Sequence, residues 1–326
     1  MFTRRETLLV GAGALSLAAL GRAAFGAADT VKTPVDFDIP AGACDCHVHV
    51  FGDPAKYPFA ADRVYTPPGA SIEMLQDLHR ALHIRRVVIV NPSVYGTDNA
   101  CTLDAARQIG ADARAVVVIG KDTPRSALDE MAAAGARGVR VNLATGGTSD
   151  PSAAKAIIDS VVGQIAPLKW HMQLYTSLSV IAALKDQLSQ LPIPVVFDHF
   201  GGAKAALGPS QPGFDVVLDL VKSGRGYVKI SGAYRASDKA PDFADATPLA
   251  QALVAANADR IVWGTDWPHP NPANQPRVPV SEMTRPAQVD DGLLLNQLAK
   301  WVPDATTRKK ILVDNPARLY GFAGVG

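Results

Sequence analysis

Cysteine is scarce in this chain, which has three cysteines among its 326 residues. Cys44 and Cys46 stand two residues apart in a stretch that we interpret as a β-strand, where neither can bridge the other. This excludes a disulfide framework, so the fold has to be stabilised by its hydrophobic core. We expect both side chains to face the surrounding helices as small buried apolar groups rather than to bind a metal.

The chain also lacks an excess of charge of either sign. Its 32 Lys and Arg residues against 31 Asp and Glu residues give a formal net charge of +1. No broad electrostatic surface for nucleic acid or an anionic membrane is therefore present, and a small-molecule partner is predicted. Hydrophobic side chains make up 48% of the residues, which is enough for the large core of a single domain.

The N-terminal segment differs in character from the rest of the chain. Arg4 and Arg5 precede an apolar stretch that ends at Leu20, and small residues follow from Ala24 to Ala28. Paired arginines in this position are typical of a twin-arginine signal peptide. A membrane anchor is the alternative, but the stretch is shorter than the roughly 20 residues that a spanning helix needs. We expect residues 1–28 to be a removable signal for export to the periplasm and residues 29–326 to form one domain.

From residue 43 onward, short β-rich runs alternate with amphipathic stretches. The predicted strands are residues 43–49, 86–91, 115–119, 138–143, 170–175, 195–199, 227–231 and 260–264. The predicted helices are residues 72–82, 127–134, 153–165, 178–191, 214–222, 248–256, 293–301 and 306–320. Alternation of this kind indicates a parallel sheet, and eight units close a (β/α)8 TIM barrel.

Polar residues at the ends of the predicted strands form a candidate site, because the active site of such a barrel lies at the C-terminal ends of its strands. His47 and His49 alternate along the first strand and so face the same side. The set is His47, His49, Asn91, Ser93, Arg140, Asn142, Gln173, Tyr175, His199, Lys229, Ser231, Arg235 and Asp266. Together, the histidines of strands one and six and the aspartate after strand eight can converge on one point of the lumen.

Three motifs in this set are similar to those of the amidohydrolase superfamily. They are Asp45-Cys46-His47-Val48-His49-Val50-Phe51, Phe197-Asp198-His199-Phe200-Gly201 and Trp263-Gly264-Thr265-Asp266-Trp267-Pro268-His269. The chain resembles the branch that includes 2-pyrone-4,6-dicarboxylate hydrolases, 4-sulfomuconolactone hydrolases and sugar lactonases. The resemblance implies a hydrolase that opens a small anionic lactone, from aromatic-compound breakdown or derived from a sugar acid.

The resemblance also implies roles for individual residues. His47, His49 and His199 correspond to histidines that polarise the scissile carbonyl, and Asp266 corresponds to the base that activates water. The positions that hold the substrate correspond to Tyr65, Ser93, Arg140, Tyr175 and Arg235. Glycines stand near residues 145–147 and at residue 202, where the pyrone dicarboxylate hydrolases tend to carry further arginines. This departure argues against a dicarboxylate substrate.

Two alternatives stay open at this point. His47, His49, His199 and Asp266 are a sound ligand set for one Zn²⁺, yet the resembled branch includes members that work without a metal. Strand four offers no lysine to bridge a second metal, so a binuclear site is not expected. The second alternative is a metal-dependent decarboxylase of an aromatic acid on the same barrel. A binding protein without catalytic activity would lack the water-activating aspartate, and this chain has it as Asp266. His79, on an outer helix, is given no role.

Overall fold

The computed structural model describes residues 31–270 and 277–323, and within them eight strands form one sheet in chain order. The strands are β1 Cys44–Val48, β2 Arg86–Val90, β3 Ala113–Val117, β4 Ala136–Asn142, β5 His171–Tyr175, β6 Val195–Phe197, β7 Gly226–Ser231 and β8 Ile261–Gly264. All seven successive pairs are parallel. The predicted TIM barrel is confirmed. The predicted signal at residues 1–28 lies outside the described residues and stays a prediction.

Helices follow the strands around the barrel. They are α1 Ile72–Ala81, α2 Ala100–Ile109, α3 Arg125–Ala133, α4 Pro151–Ile165, α5 Leu178–Ala183, α6 Lys185–Gln190, α7 Phe214–Lys222, α8 Ala233–Ala236, α9 Thr247–Asn257, α10 Asp291–Trp301, α11 Ala305–Lys309 and α12 Asn315–Tyr320. The stretch predicted as one helix over 178–191 is divided into α5 and α6, and α2 was not predicted. None of the described helices combines the length and apolarity that a membrane span requires.

One extra residue in β1 sets which side chains face the lumen. Asp45 pairs with Val87 and Val48 pairs with Ile89, so Cys46 and His47 together oppose a single residue of β2. Such a β-bulge shifts the alternation by one position. Cys44 and Cys46 therefore line the lumen with inward-facing valines of the other strands, in a cluster separate from the layer beneath the helices. Our expectation that they face the helices is wrong because it assumed unbroken alternation.

The side chain of Asp45 links β1 to the segment after β8, beside the backbone hydrogen bonds from His49 to Trp267 and from Asp266 to His47. Its Oδ1 accepts from the backbone N–H of Thr265 (3.0 Å) and of His47 (3.1 Å), and its Oδ2 accepts from Thr265 Oγ1 (2.6 Å). His79 Nε2 lies 3.4 Å from the same Oδ2, so His79 faces the barrel instead of the outside. At Gly264 an added Cβ would lie 2.7 Å from the His47 nitrogen, so a glycine allows this close approach.

The N-terminal ends of the strands are covered by the end of the chain, which we call the floor of the barrel. The buried Tyr320 ring packs edge-on against His171, with the ring centroids 5.2 Å apart. Arg114 on β3 donates from Nε to the carbonyl of Tyr320 (3.1 Å) and from Nη2 to that of Gly321 (2.9 Å). The opposite, C-terminal ends of the strands are where the lumen opens.

Tyr320 provides a test of the floor. Tyr320→Ala removes a fully buried ring, and we expect the free energy of unfolding to fall by about 3–5 kcal/mol, as for other large aromatic truncations. Tyr320→Phe is the matched control, because the hydroxyl has no hydrogen-bond partner among the described residues; it should change stability by no more than about 1 kcal/mol. Urea denaturation of both variants measures the difference. Equal stability of Tyr320→Ala and wild type would show that this end is not packed as described.

Candidate active site

Three imidazoles and one carboxylate converge at the C-terminal end of the lumen. Asp266 Oδ1 lies 3.5 Å from His49 Nε2 and 3.7 Å from His47 Nε2, and Asp266 Oδ2 lies 3.8 Å from His199 Nε2. All four side chains are buried. The sequence-based prediction that these residues meet at one point agrees with this geometry, whereas their chemical roles stay predictions.

The backbone at this cluster is held in unfavourable conformations. His199 has a φ of 47° and Asp266 a φ of 65°, values in the left-handed region that residues with a side chain rarely adopt. Gly232, at the end of β7, has a φ of 54°, and an added Cβ there would lie 3.0 Å from Asp266 Oδ2 and 3.1 Å from His199 Nδ1. Strained residues of this kind concentrate at functional sites, where the surrounding structure maintains them.

Each histidine is oriented by a protein group at its other ring nitrogen. His49 Nδ1 lies 2.8 Å from the carbonyl oxygen of Val90, and His199 Nδ1 lies 3.1 Å from Ser231 Oγ. His47 Nδ1 lies 3.3 Å from Asp198 Oδ1. Contacts at Nδ1 leave each Nε2 directed toward Asp266, which is the arrangement that orients metal-binding histidines.

Burial keeps these imidazoles neutral. It lowers the pKa of His199 to about 4 and the pKa of His47 well below its usual value, against the opposing effects of Asp266 and Asp198. Burial also lowers the pKa of His49. All three rings therefore carry a free lone pair at neutral pH, which both metal ligation and acceptance of a proton require.

Asp198 connects the cluster to the interior of the lumen. Its Oδ2 accepts from Gln173 Nε2 (3.1 Å) and Arg140 Nε (3.3 Å), and its Oδ1 lies 3.8 Å from the fully buried Lys229 Nζ. Burial raises the pKa of Asp198, but His47, Lys229 and Arg140 more than offset this and hold it well below its usual range. Asp198 is thus a charged anchor for His47, a role that sequence reasoning missed although it stands in the Phe-Asp-His motif.

Asp266 is fixed by two consecutive residues of α8. Tyr234 donates its hydroxyl to Asp266 Oδ2 (2.6 Å), and Arg235 donates from Nε to the same oxygen (2.5 Å). Burial raises the pKa of Asp266, but Arg235 and the three histidines outweigh it, so the group stays ionised. Tyr234 was missed because the sequence shows only that it precedes Arg235.

A cleft of about 310 Å³ opens beside the cluster. Its lining includes Tyr175, His199, Lys204 and Arg235, together with hydroxyl-bearing residues of the loops after β4 and β5. Tyr175 packs edge-on against His199, with ring centroids 5.1 Å apart, and the Arg140 guanidinium lies 5.5 Å from the Tyr175 ring. Of the five residues predicted to hold the substrate, Tyr175 and Arg235 therefore line the cleft directly.

The other three predicted substrate residues lie close by. Tyr65 is buried, and burial raises its pKa to about 12 against the opposing effects of Arg235, Ser93 and Arg140. Arg140 lies against Asp198, and its Nη groups make no protein hydrogen bond in the described part of the chain. The structure thus brings all five residues to one end of the barrel.

Among the described residues, two overlapping groups could hold a single Zn²⁺, namely His47, His49 and Asp266, or His47, Asp198 and His199, each with ligand atoms within 4.8 Å of one another. Zn–N distances of about 2.0–2.1 Å place tetrahedral ligand atoms roughly 3.4 Å from one another. Asp266 Oδ1 lies at similar distances, 3.5 Å and 3.7 Å, from His49 Nε2 and His47 Nε2. His47 Nε2, His199 Nε2 and Asp266 Oδ1 are buried without a hydrogen-bond partner among the described residues. Orphaned acceptors that converge in this way suit a cation.

Comparison with known proteins agrees with the sequence motifs. The profile of the amidohydrolase family (Amidohydro_2) matches residues 44–322. The chain is 39% identical to a Hydrogenophaga intermedia protein named 4-sulfomuconolactone hydrolase, over 90% of this chain and 93% of that protein. It is 34% identical to a 2-pyrone-4,6-dicarboxylate hydrolase of Comamonas testosteroni, over 87% and 92% of the two chains. A crystal structure of an Agrobacterium tumefaciens protein superimposes with a TM-score of 0.73 at 27% identity and covers 88% of this chain and 98% of the other.

The donor set predicts one bound metal ion. Protein incubated with Zn²⁺ and dialysed should retain about one equivalent per chain, measured by inductively coupled plasma mass spectrometry, because each candidate group supplies three protein ligands. His47→Asn should lose that equivalent, since His47 belongs to both groups. His83→Asn is the control, since His83 is exposed and lies outside the cluster. Full activity of protein without bound metal would leave the histidines as direct hydrogen-bonding groups.

Proposed function

The chain belongs to the amidohydrolase family and is a hydrolase acting on ester bonds, and from this premise we propose that it opens the ring of a small anionic lactone by water attack on the ring carbonyl. The observation that carries this proposal is the convergence of the Asp266 carboxylate with three neutral imidazoles beside a cleft that contains cationic side chains. The names of the two curated relatives support the same substrate class.

Asp266 is the base in this proposal. Its Oδ2 is engaged by Tyr234 and Arg235, whereas Oδ1 has no hydrogen-bond partner among the described residues. Oδ1 is therefore the atom that takes the proton of the attacking water. The protonated carboxyl then returns that proton to the ring oxygen as the ester bond breaks, which restores the carboxylate.

The three histidines stabilise the reacting carbonyl. They surround Asp266 Oδ1 and Oδ2 at 3.5–3.8 Å, so a carbonyl in contact with Asp266-bound water lies within reach of them. A Zn²⁺, which His47, His49 and Asp266 would hold, would polarise the carbonyl as a Lewis acid and acidify the attacking water. The three histidines and Asp266 are buried, which strengthens these interactions.

Charge balance supports an anionic substrate. At neutral pH the buried polar network holds three cations, Arg140, Lys229 and Arg235, against two carboxylates, Asp198 and Asp266. Burial lowers the pKa of Lys229 to about 8, which leaves it mostly protonated at neutral pH. With the histidines neutral, one positive charge is left without a carboxylate partner in this network. An anionic substituent of the substrate supplies the missing negative partner. A planar guanidinium matches the geometry of a carboxylate or sulfonate.

The glycines near the cleft support a substrate other than a dicarboxylate. Gly202, in the cleft, has a φ of 82°, and an added Cβ would lie 2.7 Å from the carbonyl oxygen of Thr176. No side chain fits there without movement of the backbone. Gly147, also in the cleft, has a φ of 72°. These two positions contribute only backbone atoms to the cleft. They therefore supply no further arginine to bind a second carboxylate of the substrate.

Replacement of the base tests the reaction. Asp266→Asn keeps the size of the side chain but removes the proton acceptor, so kcat should fall at least about 100-fold while the protein stays folded. The assay is a screen of anionic lactones and aromatic acids with product analysis by mass spectrometry. Hydrolysis of a lactone increases its mass by one water, whereas decarboxylation of an aromatic acid decreases its mass by one CO₂. Near-normal turnover by Asp266→Asn would contradict the mechanism, and CO₂ release in place of lactone opening would favour the decarboxylase.

Replacement of Arg140 tests the substrate class. Arg140→Met removes the guanidinium and should raise KM for an anionic lactone about 10-fold or more, the typical effect of losing a charge-assisted contact. A neutral lactone should be affected much less. Arg137→Met is the matched control, because Arg137 lies at the opposite end of β4 and donates to Ala132 and Ala136 carbonyls. An equal loss with both lactones would make Arg140 a structural partner of Asp198 only.

A further inference from the structure

The two oxygens of Asp266 have different surroundings. Oδ2 accepts the Tyr234 hydroxyl at 2.6 Å and Arg235 Nε at 2.5 Å. Oδ1 accepts no hydrogen bond from the described residues and faces His49 Nε2 at 3.5 Å and His47 Nε2 at 3.7 Å. A carboxylate with one oxygen held by two donors cannot exchange its oxygens by rotation without breaking both contacts.

We propose that Tyr234 is a positioning residue, whose hydroxyl fixes Asp266 Oδ2 so that Oδ1 is presented to the histidines and to the attacking water. This inference rests on the proposed function, because it assigns Tyr234 a part in the same proton transfer. Tyr234 moves no proton itself, and the bond that it makes is present before and after the reaction.

Tyr234 acts through Asp266 and not through the substrate. Its side chain is buried and is not part of the cleft lining, whereas Arg235 lines the cleft. The Tyr234 ring packs edge-on against His269 at 5.5 Å between centroids, and His269 Nε2 lies 3.2 Å from Asp291 Oδ2. The segment that follows β8 therefore packs against the ring, and the hydroxyl donates to Asp266 Oδ2.

The end of β7 positions Tyr234 and a histidine partner together. Ser231, the last residue of β7, contacts His199 Nδ1 at 3.1 Å, and Gly232 turns the chain so that α8 begins directly beside Asp266. Residues 231–234 thus include a contact to His199, from Ser231, and a contact to Asp266, from Tyr234. A residue that orients the base without touching the substrate should affect turnover and leave substrate binding unchanged.

Tyr234→Phe tests this, because it removes the hydroxyl and retains the ring. We expect kcat to fall about 10-fold or more, the typical weight of a hydrogen bond to a charged group, while KM stays within about twofold. Tyr227→Phe is the matched control: it removes another buried tyrosine hydroxyl, which contacts Arg260 at the N-terminal end of β7, and it should leave kcat unchanged. In an Asp266→Asn background, Tyr234→Phe should cause little further loss.

Both a hydrolysed anionic lactone and the activated ester p-nitrophenyl acetate serve as substrates, so that the two proposals can fail separately. Wild-type protein that cleaves the ester but no lactone would overturn the proposed function and still allow Tyr234→Phe to be measured. Three results with folded Tyr234→Phe would overturn the inference: an unchanged kcat, a rise in KM alone, or a full additional loss in the Asp266→Asn background. Wild-type protein that is inactive on both substrates would also overturn it.

Discussion

The positions of His47, His49 and Asp266 depend on a carboxylate that takes no part in the proposed chemistry. Asp45 joins β1 to the segment after β8 through the backbone N–H and the hydroxyl of Thr265. The adjoining backbone contacts, from His49 to Trp267 and from Asp266 to His47, carry the two histidines and the base on either side of this seam. Because a barrel is closed only if its first and last strands meet, the same contact that completes the fold also sets the distance between histidine and carboxylate.

The interior accommodates charge because almost every charged group there has a partner. Asp198 is shared among His47, Arg140 and Lys229, and Asp266 is held by Arg235. A buried ion without a partner destabilises the fold by several kcal/mol. Removal of one member of an ion pair therefore leaves the other as an uncompensated buried charge. The neutral imidazoles add acceptors without adding charge. The result is a site whose charges are fixed in place before any ligand enters.

Much of this arrangement could be predicted from sequence, because alternating strands and helices determine the barrel and strand ends determine the site. The inward direction of His47 and His49 followed from period-two alternation. The same rule failed for Cys46, since a bulge adds one residue that hydrophobic pattern does not reveal. Asp198 and Tyr234 were missed because their importance comes from contacts between strands distant in sequence. His79 was placed outside because its Asp45 partner lies 34 residues away.

Among the described residues, Tyr320 and the end of the chain close the N-terminal end of the lumen, so the lumen opens at the C-terminal ends of the strands. Tyr320 is fully buried, and the lumen residues above it are closed to solvent. In the proposed reaction, water, substrate and product share this opening, where an entering molecule and a departing one exclude each other. Product release and substrate entry must then follow one another, and product that stays bound at this opening competes directly with the next substrate molecule.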